Sequence, residues 1–137
     1  MEAENSGIYI LKIKLAKNQS IKVGALGDNN FKKGFYYYIG SAQRNLKSRI
    51  ERHLRTKKKF HWHIDYLLDE AEVVDYFTLN GPKDYECKLF NYLYHKDQFK
   101  LMVEGFGSSD CSCISHLLYS KKDLILKNML EDFKKDI

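Results

Sequence analysis

A chain of 137 residues that is 44% apolar and 14% aromatic is long enough to bury a core and too apolar to be disordered. Its net charge of +5 is concentrated, because residues 41–60 carry eight bases against one acid, Glu51; such a patch points to a polyanion such as nucleic acid, a solvated lysine-rich helix end being the plain alternative. No run reaches membrane-spanning length, Ile8 to Leu15 is too short and too charged for a signal peptide, and the sparse cysteines (Cys87, Cys111, Cys113) fit a reducing, cytoplasmic setting.

In chain order, a polar tail leads into a predicted strand over Gly7 to Leu15. Ile21 to Val23 reads as a short strand and Gly24 to Gly34 as a loop. The run Phe35-Tyr36-Tyr37-Tyr38-Ile39-Gly40 is β-favouring and can pair antiparallel with the first strand. Leu46, Ile50 and Leu54 recur every fourth residue and predict a helix. Phe60 to Leu68 predicts a second helix, Glu72 to Leu79 a strand, and Tyr85 to Tyr94 a third helix with Glu86 in its first turn. Leu101 to Val103 reads as a brief edge strand, Gly105 to Asp110 as a loop and His116 to Tyr119 as a short apolar stretch. Lys121 to Ile137 predicts a terminal helix with Leu124, Met129, Leu130 and Phe133 on its buried stripe. The order β-β-α-α-β-α, with no internal repeat or domain boundary, predicts an α+β fold: one domain around a small antiparallel or mixed sheet flanked by helices.

The basic helix places Arg49 and His53 one turn apart, next to its apolar stripe. A guanidinium clamps anionic oxygens and an imidazole moves protons, which together suit a phosphodiester. Gly40 suits a tight passage from strand to helix, or close approach of a nucleic-acid backbone. Arg44, Lys47, Arg52, Arg55, Lys57, Lys58 and Lys59 are candidates for phosphate contacts that read no bases. Cys111, Cys113 and His116 have a spacing tighter than that of ordinary zinc sites, so a reduced loop is favoured over structural zinc. His61 and His63 either line a groove or begin a helix.

Gly7-Ile8-Tyr9 and Tyr38-Ile39-Gly40 resemble the two signature tripeptides of the GIY-YIG nuclease superfamily. Arg49, His53 and Glu86 follow in that family's order, over a shared core of about residues 7–95. The segments His61-Trp62-His63-Ile64-Asp65 and Gly105 to Cys113 look like an archaeal and bacterial branch, sometimes fused to a repair glycosylase, with residues 96–137 as its C-terminal extension. The resemblance implies a divalent-metal-dependent endonuclease acting on DNA rather than RNA, with a possible repair partner. Glu86 would hold one Mg²⁺ or Mn²⁺, Arg49 would clamp the phosphate, and Tyr9 with Tyr38 beside it would activate water, His53 taking the proton onward. Two departures stand out: Ser41 occupies a place where several members carry lysine, and no asparagine aligns with the one those members place in a loop after the glutamate helix, leaving Ser108, Ser109 or Asp110 as substitutes. A binding module that kept the fold and lost catalysis is the alternative, and a zinc-stabilised interaction domain a third reading.

Overall fold

The computed structural model describes residues 6–55, 58–60, 62–107 and 114–136. Its centre is a strand pair: β1 (Gly7–Leu15) and β4 (Gly34–Ala42) run antiparallel over nine residues each, with Tyr9 opposite Gly40 and Leu11 opposite Tyr38. The two strands are joined through a hairpin, β2 (Gln19–Lys22) with β3 (Asp28–Phe31), and a 3₁₀ turn at Gly24–Leu26. Residues 24–34, expected to be a loop, therefore hold a strand; Asp28-Asn29-Asn30 lacks β-favouring composition, and pairing with β2 decides its conformation.

Beyond the basic helix α1 (Leu46–Leu54) and the short α2 (His63–Leu68), β5 (Glu72–Leu79) adds to the free side of β1. Helix α3 (Tyr85–Tyr94) then leads to β6 (Lys100–Leu101), β7 (Leu117–Ser120) and α4 (Lys127–Asp136). The sheet order is β5-β1-β4-β7-β6, every pairing antiparallel. The α+β class holds, with a fully antiparallel sheet. The short apolar stretch after His116 proves to be an inner strand, so residues beyond 95 complete the sheet instead of being appended to it.

Both faces of β1 and β4 are covered, which is why their apolar residues run nearly continuously. Tyr9, Leu11, Ile13, Tyr36 and Tyr38 face Leu46 and Ile50 of α1 and Ile64 and Leu67 of α2. Ile8, Ile10, Tyr37 and Ile39 face Leu89, Phe90 and Leu93 of α3 and Leu130 and Phe133 of α4. The terminal helix begins later than expected, at Lys127. The sheet claims the preceding backbone: the Tyr37 hydroxyl donates to the Lys122 carbonyl and accepts from the Leu124 N–H, while Lys12 Nζ donates to the Leu124 carbonyl. Groups bound this way are withheld from a helical ladder. The buried stripe of α1 also differs, running Leu46, Ile50, His53 and leaving Leu54 45% exposed.

Candidate functional site

At one end of the central strand pair lies a cavity of about 470 Å³, lined among others by Tyr9, Tyr38, Gly40, Arg49, Lys83 and Glu86. Two layers build it. From the α1 side comes Arg49, with His53 behind Tyr9; from the opposite side of the sheet the first turn of α3 brings in Glu86, buried at 8% exposure. Of the residues singled out in sequence, Tyr9, Tyr38, Arg49 and Glu86 line this one space, and His53 does not.

Tyr9 crosses the strand pair toward α1. Its hydroxyl lies 2.7 Å from His53 Nε2. It can lie there only because residue 40 has no side chain: a Cβ on Gly40 would sit 2.5 Å from both Tyr9 Cζ and Oη. The glycine therefore makes room for a phenol, and it also lines the cavity. Burial pushes the Tyr9 phenol up to about 12, against the opposing pull of the Arg49 guanidinium, which hydrogen-bonds to it. Burial likewise raises Tyr38 well above its ordinary value. His53 is 2% exposed, and burial holds its imidazole down at about 4. Its Nδ1 is buried without a hydrogen-bond partner among the described residues, so an imidazolium here would leave one N–H unpaired among them.

Arg49 is half-buried. Its Nη1 donates to the Ser41 carbonyl at 3.2 Å, and its guanidinium lies 4.6 Å from the ring centroid of Trp62. His63 accepts the Gly107 N–H at Nδ1 (2.9 Å), which assigns the ring proton of the neutral imidazole to Nε2, and the residue lines the cavity. Burial lowers the His63 pKa, which keeps it in that form.

The basic residues divide. Arg44, Lys47, Arg55 and Lys59 are exposed. Arg52 instead spends its fork on the fully buried Asp65 at 2.9 and 3.0 Å, and Lys58 caps the end of α1 through the carbonyls of His53 and Arg55. Lys57, His61, Ser108, Ser109, Asp110, Cys111 and Cys113 lie outside the described residues. His116 is buried at the cavity wall. Cys87, on α3, is disulfide-bonded, so the expectation of reduced thiols does not hold for it. Among the described residues no group of three or more His, Cys, Asp or Glu is placed to hold a metal ion, and no helix is long and apolar enough to cross a membrane.

Sequence reasoning passed over Lys83, Trp62 and Asp65. Lys83 stands in the turn before Glu86 and shares its cavity; a base beside Pro82 carried no periodic signal. Trp62 had one cue, being the chain's single tryptophan.

No curated protein and no solved structure matches the chain. A family model described as "Domain of unknown function DUF123" matches residues 8–137, and the chain belongs to that family.

Proposed function

We propose that the cavity is a phosphodiester-hydrolysing site and the protein a divalent-metal-dependent endonuclease of the GIY-YIG type, acting on DNA. The observation that carries this reading is the convergence of Tyr9, Arg49 and Glu86 on one cavity, with His53 at 2.7 Å from the Tyr9 hydroxyl. A cation, a carboxylate and a bound hydroxyl in one cleft are what hydrolysis of an anionic ester requires.

Arg49 keeps donors for a phosphoryl oxygen, since its contacts among the described residues are the Ser41 carbonyl, Tyr9 and the indole face. Tyr9 orients the attacking water with its oxygen while His53 fixes the direction of its hydroxyl. Moving the Tyr9 proton (about 12) onto His53 (about 4) is uphill by on the order of 10 kcal/mol. His53 is therefore a positioning partner in the resting site, and any proton transfer accompanies charge build-up at phosphorus. Lys83 adds positive character to the same wall, which His63 also lines. One carboxylate, Glu86, fits a hard ion that keeps most of its waters and borrows further oxygens from a substrate phosphate. Bound there, Mg²⁺ or Mn²⁺ would neutralise charge on the phosphoryl and leaving oxygens.

The exposed bases Arg44, Lys47, Arg55 and Lys59 would track the backbone. Four such contacts give a slope of about −4 for log affinity against log salt on duplex DNA. The second reading, a binding module, is favoured by the same pKa values, since neither Tyr9 nor His53 is poised to exchange protons near neutrality.

Nicking of supercoiled plasmid with Mg²⁺ or Mn²⁺ separates the two readings. Arg49→Ala and Glu86→Ala should each lower the rate by about 10²–10³-fold. Salt-dependent binding without any cleavage, in wild type and variants alike, would leave the binding module.

A further inference from the structure

Two guanidiniums lie on one indole. Arg49 Cζ is 4.6 Å and Arg52 Cζ 4.5 Å from the Trp62 ring centroid. Two like charges gathered on one ring repel unless something neutralises one of them. Asp65 does so: it is fully buried, takes Arg52 bidentately at 2.9 and 3.0 Å, and accepts the Trp62 backbone N–H at 2.9 Å. Arg52 also donates to the Lys59 carbonyl at 2.8 Å. The buried carboxylate is thus committed to Arg52 and to the residue bearing the indole, and Arg49 has no carboxylate partner among the described residues.

The assignment of charge is the informative part. Had Asp65 paired with Arg49, the cavity would have lost its cation. Pairing it one turn further along α1 anchors the indole and leaves Arg49 ringed by neutral contacts, with donors available. A buried ion pair of this kind is seldom the best solution for stability alone, since an apolar replacement serves as well. Holding a neighbour in one geometry is what it adds.

We infer that Asp65, Arg52 and Trp62 form a positioning unit for Arg49: the carboxylate fixes one guanidinium and the indole, and the indole face holds the second guanidinium where a phosphodiester meets it. The inference rests on the phosphodiester reading of the cavity for its consequence in catalysis, but not for the geometry. Trp62 lines the cavity wall beside Arg49, and Arg52 and Asp65 lie behind it.

The test follows the Arg49 Nε–H cross-peak in arginine-selective NMR, alongside steady-state nicking, for Trp62→Phe, Trp62→Leu and Arg52→Lys. Trp62→Leu should move the Arg49 signal to the random-coil position and lower kcat about 10–100-fold, as expected for a misplaced group, while KM changes less than about three-fold. Trp62→Phe, which keeps an aromatic face, should retain the shifted signal and most of kcat. Should Trp62→Leu lose its dispersed spectrum, Arg52→Lys carries the decision: it keeps the charge, loses the fork, and should displace the Arg49 signal with the backbone spectrum intact. An Arg49 signal unmoved in the folded variant, or a displaced signal with kcat unchanged, overturns the inference. If the wild-type protein nicks nothing, the nuclease reading falls, and the cross-peak alone still decides whether these residues hold Arg49.

Discussion

Tyr9 and Tyr37 lie on adjacent strands of one sheet, one facing α1 and the other facing α3 and α4. Both are fully buried, and burial pushes both phenols up to about 12. Their hydroxyls differ in what they meet. Tyr37 is bound on both sides by backbone, the Lys122 carbonyl and the Leu124 N–H, so it ties a segment down. Tyr9 meets two side chains, His53 and Arg49, at the edge of a cavity. A perturbed phenol is therefore no sign of function by itself; the partners of its oxygen are.

The largest expected effect is a crossover between these two residues. Tyr9→Phe should lower the nicking rate about 10²–10³-fold and destabilise the fold by about 1–2 kcal/mol, because His53 loses its hydrogen bond at Nε2. Tyr37→Phe should leave the rate unchanged and cost a similar 1–2 kcal/mol through the orphaned Leu124 N–H. Plasmid nicking and urea melts on both variants check this. Equal rate losses in the two would erase the distinction between the faces.

Next in size is a pH dependence that belongs to the cavity face alone. His53 titrates near 6.5 unfolded and at about 4 folded. Between those values the unfolded chain binds a proton that the folded chain refuses, so stability falls as pH drops from about 6.5 to 4. The full loss is on the order of 3 kcal/mol. Urea melts at pH 7 and 4.5 should show most of it, and His53→Gln should flatten the profile relative to wild type. A profile identical in both proteins would mean that the imidazole is not the group responsible.

The two faces also differed in how well the sequence exposed them. The long strands, α3 and β5 were legible because their patterns are local: aromatic and β-branched runs, or apolar residues at helical spacing. The cavity was legible through residue types that stand out singly, Tyr9, Arg49 and Glu86, with His53 behind Tyr9. Its supporting contacts were not. Gly107 donating to His63, and Arg52 reaching Asp65, depend on loops folding back across many residues, and no periodicity encodes that. The late start of α4 is a similar case, since Lys121 to Leu126 is helical in composition but its backbone is claimed by Tyr37 and Lys12. The last residue of the α1 stripe was misread because spacing alone does not tell i+3 from i+4 near a helix end, and so His53 took the buried place given to Leu54.

A smaller effect tests the fit of Tyr9 against its glycine. Gly40→Ala sets a methyl 2.5 Å from the Tyr9 ring, which must shift or rotate. The expected destabilisation is about 1–3 kcal/mol, as for other overpacked sites. Activity should fall more than stability predicts, because the displaced hydroxyl parts from His53. Combining Gly40→Ala with Tyr9→Phe sharpens the point: once the hydroxyl is gone, the methyl should affect melting but add little to the rate loss.

The smallest effect is expected at Lys12, a buried charged residue on the face that packs against α3 and α4. It is 9% exposed, donates to the Leu124 carbonyl at 3.0 Å, pairs with Asp123 and lies 5.8 Å from the Phe35 ring centroid. Lys12→Met keeps the stem that packs against the sheet and removes the ammonium. The Asp123 side chain is 62% exposed and returns to water without penalty. What remains is one carbonyl short of a donor, offset by no longer desolvating a charge, so stability should change by about 1 kcal/mol or less. Nicking should be unaffected. A rate loss beyond about ten-fold, far more than so small a change in stability explains, would show that α3 transmits packing on this face to Glu86, and the two faces would then have to be treated as one mechanical unit.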